Sequence, residues 1–137
     1  MDASVATRFL LKEDLAEKAE QVLQSFVEGE IDLTAPPLIN YEVGNALRTA
    51  ASRGIVKPAD ATASFNTFLR LRLGKLSPSD RQYSDALEWS TRKGVSYYDV
   101  IYILCAKASG YKLLTADAKQ LEAAEGEVEV LHLRDFS

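Results

Sequence analysis

Length, composition and charge restrict what this chain can be. It has 137 residues, of which 47% are hydrophobic, and its formal net charge is −4 at pH 7. This length predicts a single domain over residues 1–137, and the apolar content excludes a disordered chain. The acidic balance excludes a uniformly basic nucleic-acid binder. No apolar run reaches the ~18 residues that a membrane span requires, and the first residues lack a secretory pattern, so we expect a cytoplasmic protein.

The predicted elements have apolar residues at regular spacing and Pro, Gly, Ser or Asp at their ends. An Asp14-x-x-Glu17 capping box is expected to begin the first long helix, and Gly74 to close the helix that begins at Pro58. Leu87 is expected to face the core. In chain order we predict a helix at 14–28, a strand at 31–35, helices at 38–52, 58–73, 79–93 and 96–109, a strand at 111–115, a helix at 118–124 and a strand at 128–133.

The alternation of short apolar strands and helices indicates the fold class. Such strands pair in parallel through right-handed helical crossovers, which predicts a three-layer α/β/α sandwich with a central, mainly parallel sheet. Ligands of such sheets bind beyond the carboxyl ends of the strands. Acidic residues near these strand ends are therefore candidates for a functional site.

Four acids stand out, namely Asp2, Glu42, Asp99 and Asp117. Each has a structural alternative, because Ser96-x-x-Asp99 matches a capping box, Asp2 and Asp117 could cap helices, and Glu42 could be solvated. However, Glu42 and Asp99 lie in apolar helical sequence, where an unpaired buried charge costs several kcal/mol, of order 3 or more. A divalent cation would neutralise the cluster. A single cysteine and a single histidine leave an all-oxygen set, which suits Mg²⁺ or Mn²⁺ rather than zinc.

The order of these motifs resembles that of PIN domains. The chain carries Asp-x-Ser at 2–4, Glu-x-x-Asn-Ala-Leu at 42–47, Tyr-Asp at 98–99 and Leu-x-Thr-x-Asp at 113–117. The likeness extends over essentially the whole chain and is strongest to VapC-type toxin nucleases of prokaryotic toxin–antitoxin pairs. It implies a Mg²⁺- or Mn²⁺-dependent endoribonuclease that hydrolyses RNA, forms a homodimer and is restrained by a small antitoxin. It also implies that the four acids bind the metal and are catalytic, with Ser4, Asn45 and Thr115 as supporting polar residues.

The chain departs from the PIN pattern at its beginning. In PIN domains an apolar strand precedes the first aspartate, whereas here only Met1 precedes Asp2, so the first strand is predicted to be truncated. This departure favours the alternative of a catalytically inert PIN-fold module that binds RNA or protein. The complete set of acids favours the enzyme. A phosphoryl-transfer enzyme on another sheet is disfavoured, because no Gly-rich phosphate loop is present.

Basic and apolar surface residues suggest where partners bind. Arg8, Lys12 and Arg48 are candidate RNA contacts near the acids, although a solvated face is the alternative for each. Phe68 and Leu71 are candidate exposed apolar residues for a homodimer interface.

Overall fold

The computed structural model describes residues 1–137 and is rich in helix, with four short strands. None of its helices is long and apolar enough to cross a membrane. The elements are α1 (Ala3–Arg8), α2 (Ala16–Val27), β1 (Thr34–Ala35), α3 (Leu38–Ser52), α4 (Pro58–Arg70), β2 (Gly74–Lys75), α5 (Asp80–Lys93), α6 (Tyr97–Ser109), β3 (Leu113–Thr115), α7 (Ala118–Ala124), β4 (Val130–His132) and a 3₁₀ turn at Leu133–Asp135.

The strands form two parallel pairs, which confirms the predicted parallel pairing. β1 pairs with β2, and β3 pairs with β4. Strand β2 was not predicted, since Gly74 was expected only to end a helix. In the structure Gly74 lies opposite Thr34, and a Cβ added there would lie 2.5 Å from Thr34 Cγ2. Glycine therefore allows the two backbones to approach closely enough to pair.

Residues Met1 and Asp2 lie between the two strand pairs. The Met1 amino group donates to the Thr34 carbonyl oxygen at 2.8 Å. The Asp2 main-chain N–H donates to the Leu114 carbonyl oxygen at 3.1 Å. These bonds connect β1 to β3 through two residues that do not form a strand. They also place the Asp2 side chain beside the carboxyl end of β3.

The main apolar core joins elements from the whole chain. Val5 of α1, Val43 of α3, Ile103 of α6 and Leu113 of β3 are all fully buried in it. A smaller cluster lies between α5 and α6. Burial contributes roughly 25 cal/mol per Å² of apolar surface, so this core holds α3, α6 and β3 in fixed relative positions. Those three elements carry or flank the candidate acids.

Three local predictions were wrong. Leu87 is 58% exposed rather than in the core, and Phe68, a candidate surface residue, is only 2% exposed and belongs to the core. The predicted capping box at Asp14 is not formed. Helix α2 begins after Leu15, which has a φ of 59° and no side-chain cap, while the Asp14 carboxylate accepts a hydrogen bond from Arg8 at 2.6 Å. The ion pair with Arg8 takes the place of the cap.

Candidate active site

The four predicted acids line one cavity of about 260 Å³ at the carboxyl end of β3. Asp2 precedes α1 and caps it, and Asp117 follows β3 and caps α7. Glu42 lies on α3, and Asp99 lies in the first turn of α6. The parallel topology thus brings together acids that are far apart in the chain. Ser4 also lines this cavity, together with Thr7 and Tyr102.

Asp2 is held rigidly by two hydroxyl groups. Its Oδ1 atom accepts from the Ser4 main-chain N–H at 3.0 Å and from Ser4 Oγ at 2.5 Å, and its Oδ2 atom accepts from Thr115 Oγ1 at 2.5 Å. Burial raises the pKa of Asp2, while the bonds from Ser4 and Thr115 oppose that rise. A carboxylate has about four acceptor positions, so one position on Asp2 stays free for a ligand.

The same hydroxyls connect Asp2 to the loop that carries Asp117. Ser4 Oγ accepts from the Ala116 main-chain N–H at 2.8 Å, and Thr115 Oγ1 accepts from the Asp117 main-chain N–H at 3.0 Å. Each hydroxyl therefore donates to the carboxylate and accepts from the loop. Ser4 and Thr115 thereby hold the Asp2 carboxylate in a fixed orientation relative to this loop.

Glu42 is half-buried, and one of its carboxylate oxygens has no hydrogen-bond partner. Its Oε1 atom and the Tyr102 hydroxyl are both buried, and neither makes a hydrogen bond. Burial raises the pKa of Glu42, the nearby Tyr102 hydroxyl opposes that rise, and the charge of Asp2 adds to it. Burial, and then the charge of Glu42, raises the pKa of Tyr102. A buried polar atom without a partner costs roughly 1–3 kcal/mol, which a bound ligand would relieve.

Asp99 experiences the repulsion of the whole cluster. Burial first, and then the charges of Asp117, Asp2 and Glu42, raises its pKa to about 6. The alternative of a capping box at Ser96 is not supported, because Ser96 makes no side-chain cap to α6. Asp117 does act as a cap, since its Oδ1 atom accepts from the Lys119 main-chain N–H at 2.8 Å.

The donor chemistry of the cavity fits a hard divalent cation. Its ligand atoms are carboxylate and hydroxyl oxygens, the charges are of one sign, and Glu42 Oε1 lacks a partner. As placed, no three of these side chains converge into a set of metal ligands. Because hydrogen bonds fix Asp2, binding would require rotation of the Glu42, Asp99 or Asp117 side chain.

The remaining predicted residues lie outside the acidic cavity. Asn45 is exposed and lines a neighbouring cavity, and Arg48 lines a groove between α3 and α4. The Arg8 guanidinium donates to the Ser4 carbonyl oxygen at 2.7 Å and to Asp14, and Lys12 is exposed. None of the three basic residues lines the cavity.

Tyr102 was not singled out from the sequence, although it lines the cavity. It follows Asp99 by three residues on α6, and residues at that spacing share a helix face. The spacing was the available signal, but the surrounding apolar run is equally typical of a core helix. The site and the fold together define an α/β protein with an acidic cavity at the carboxyl end of a parallel strand.

Comparisons with known proteins place this α/β protein in a family. The family model of the PIN domain matches residues 1–126. Ribonuclease VapC1 of Mycobacterium tuberculosis is 32% identical over 130 residues, which cover 92% of this chain and 93% of that protein. Ribonuclease VapC3 of Pyrobaculum aerophilum is 29% identical over 124 residues, covering 89% and 91%. The chain therefore belongs to the PIN domain family.

A solved structure has the same fold. The crystal structure of PAE2754 from Pyrobaculum aerophilum superposes with a TM-score of 0.67 at 24% sequence identity, covering 97% of this chain and 88% of that chain. Together with the parallel strand pairs, this likeness confirms the predicted PIN-like α/β fold.

Proposed function

We propose that this protein is a divalent-metal-dependent endoribonuclease and the toxin of a toxin–antitoxin pair. The observation that carries the proposal is the shared cavity of Asp2, Glu42, Asp99 and Asp117, in which like charges are held together without a neutralising group. Membership of the PIN family and relatives named ribonucleases support it.

The residues of the cavity would have different roles in binding the ion and the substrate. Asp2, oriented by Ser4 and Thr115, offers a fixed ligand, and Glu42, Asp99 and Asp117 complete the set for Mg²⁺ or Mn²⁺. When bound, such an ion polarises the phosphodiester and lowers the pKa of a water molecule. The start of α6 adds positive electrostatic potential near the substrate phosphate. In the reaction, water oxygen bonds to phosphorus as the bond from phosphorus to the leaving nucleoside oxygen breaks.

We propose a cytoplasmic homodimer that binds a small antitoxin. On α5 the exposed residues Tyr83 and Leu87 are four apart and share one face, so they replace Phe68 as apolar candidates for self-association. The basic residues Lys12 and Arg48 remain candidates for contacts with RNA outside the cavity. Arg8 is the weaker candidate, because its guanidinium is already bonded to Ser4 and Asp14.

One observation favours a second function, that of an inert module that binds RNA or protein. No three side chains in the structure form a ready set of metal ligands. In that case the acids would be a remnant of the family site. The two functions differ in whether the protein binds a cation and cleaves RNA.

Calorimetric titration with Mn²⁺ at neutral pH tests the proposal first. The parent is expected to bind saturably and Asp99→Asn to lose binding. Asp85→Asn, the same substitution on an exposed face of α5, should bind like the parent. Total cellular RNA is then incubated with each protein, with and without a chelator, and new 5′ ends are mapped by sequencing. Internal ends that need both Mn²⁺ and Asp99 support the enzyme; no binding and no new ends support the inert module.

A further inference from the structure

The hydroxyl of Tyr102 is a buried polar group without a hydrogen-bond partner. Tyr102 is only 3% exposed, and its ring belongs to the main apolar core. The residue also lines the acidic cavity, and its hydroxyl makes no hydrogen bond. Phenylalanine would fill the same core position at lower cost, because an orphaned buried hydroxyl destabilises the folded state. Packing therefore explains the ring of Tyr102 but not its hydroxyl.

This hydroxyl interacts with one acid of the cavity, Glu42. The Tyr102 hydroxyl opposes the rise in the pKa of Glu42, and the charge of Glu42 contributes to raising the pKa of Tyr102. The Oε1 atom of Glu42 is also buried and accepts no hydrogen bond. A donor without an acceptor thus lies beside an acceptor without a donor. Rotation of the Glu42 side chain can bring the two into a hydrogen bond.

The other hydroxyl groups that line the cavity already donate elsewhere. Ser4 Oγ donates to Asp2 Oδ1, and Thr7 Oγ1 donates to the Ser4 carbonyl oxygen at 3.2 Å. A hydroxyl has a single proton to donate. Tyr102 is therefore the one hydroxyl of this cavity whose proton is free for Glu42.

We propose that Tyr102 is a positioning residue of the active site, whose hydroxyl donates to the Glu42 carboxylate when that side chain turns to bind the divalent cation. The inference rests on the proposed metal-dependent function and adds a residue to it. A carboxylate that gives one oxygen to a cation still accepts hydrogen bonds at the other. Ser4 orients Asp2 through a hydroxyl, and Tyr102 orients Glu42 by the same chemistry.

Calorimetric titration with Mn²⁺ measures the contribution of the hydroxyl. Tyr102→Phe keeps the ring in the core and removes only the hydroxyl. We expect its Mn²⁺ affinity to fall roughly 10- to 100-fold, as is typical when a group that orients a metal ligand is lost. Tyr97→Phe is the matched control on the same helix, because Tyr97 does not line the cavity and its hydroxyl donates to the Tyr83 carbonyl oxygen at 3.3 Å. This control should bind Mn²⁺ like the parent.

Urea unfolding with a chelator separates positioning from stability. Without a cation the Tyr102 hydroxyl has no partner, so Tyr102→Phe should unfold at the same urea concentration as the parent or at a higher one. Adding Mn²⁺ should then raise the urea midpoint of the parent more than that of Tyr102→Phe, because the parent binds the ion more tightly.

Raman spectroscopy reports on the hydroxyl itself. The intensity ratio of the tyrosine ring doublet depends on whether the hydroxyl donates or accepts a hydrogen bond. Subtracting the spectrum of Tyr102→Phe from that of the parent isolates Tyr102 among the six tyrosines of the chain. We expect Mn²⁺ to change this difference spectrum toward that of a donating hydroxyl.

Three results would overturn the inference. The first is a Mn²⁺ affinity of Tyr102→Phe equal to that of the parent, and the second is a Raman doublet that Mn²⁺ leaves unchanged. The third is a lower urea midpoint of Tyr102→Phe in the chelator, which would make the hydroxyl a structural group. If the parent binds no Mn²⁺, the proposed function fails and this inference fails with it. If the parent and Tyr102→Phe bind Mn²⁺ equally, the inference alone fails.

Discussion

Neutralising one carboxylate of the acidic cavity should stabilise the protein when no divalent cation is bound. Burial and repulsion from Asp117, Asp2 and Glu42 raise the pKa of Asp99 from 3.8 to about 6. One unit corresponds to ~1.4 kcal/mol, so the whole shift is equivalent to about 3 kcal/mol at neutral pH. Solvent screening reduces this at a partly exposed group, and we expect Asp99→Asn to raise the free energy of unfolding by about 1–2 kcal/mol. The Asp99 main-chain carbonyl oxygen accepts from the Gln120 side-chain amide at 3.0 Å, and the substitution leaves this bond in place.

The assay is urea unfolding at pH 7.5 in the presence of a chelator. The control is Asp85→Asn, which removes the same charge from an exposed site with only a 3.8 Å ion pair to Arg81, so we expect almost no change. Adding Mn²⁺ should then stabilise the parent and leave Asp99→Asn unchanged, because only a state that binds the ion gains stability. If Asp99→Asn has no higher free energy of unfolding than the parent in the presence of the chelator, the proposed repulsion among the acids is refuted. An equal gain in the free energy of unfolding of Asp85→Asn would show that the effect comes from the change in net charge.

Three further predictions concern pH dependence, a buried hydrogen bond and packing. The stability gain of Asp99→Asn should be near zero at about pH 4 and grow through pH 6, because an acid with a raised folded pKa takes up its proton on folding in that range; a gain that shrinks as pH rises contradicts this. Thr115→Val removes the hydroxyl that donates to Asp2 and should lower the free energy of unfolding by roughly 1–3 kcal/mol in urea, with an unchanged midpoint as the contrary result. Gly74→Ala should lower the melting temperature through contact with Thr34 Cγ2, and Thr34→Ser in the same chain should restore it; no rescue would mean that the β1–β2 contact is not the cause.

Local signals predicted most helices and the segments that contain three of the four strands, but not β2. Pro58 begins α4 and residues 38–52 form α3 as expected, because proline, caps and apolar spacing act within one helix. Strand β2 depends on the fit between Gly74 and Thr34, which are 40 positions apart in the sequence and meet only after folding. The cap expected at Asp14 failed for a similar reason, since a tertiary ion pair with Arg8 replaced it.

The site was predictable in outline because parallel strands share one carboxyl edge. That rule places Asp117, which follows β3, at the ligand-binding edge without knowledge of the side chains. The positions of residues around a helix were harder to predict. Asn45 follows Glu42 by three residues, yet it lines the neighbouring cavity, because the boundary between the two cavities passes through Glu42 itself. Sequence spacing predicts on which face of a helix a residue lies. It does not predict which of two adjoining cavities that residue lines.

The hydrogen bonding of Asp2 differs from that of the neighbouring acid Glu42, and this difference favours a ligand-binding role over a purely structural one. Asp2 accepts three hydrogen bonds and is fixed, whereas Glu42 Oε1 is buried and accepts none. Had the acids been retained for stability, the unbonded groups would be expected to find partners, because each orphaned buried atom costs roughly 1–3 kcal/mol. A cation that binds only the folded protein stabilises it and offsets this cost. Only acceptor positions that are not already hydrogen-bonded can coordinate the cation in this way. A fixed Asp2 carboxylate beside an unbonded Glu42 oxygen is therefore the combination that lets a site be both positioned and able to bind.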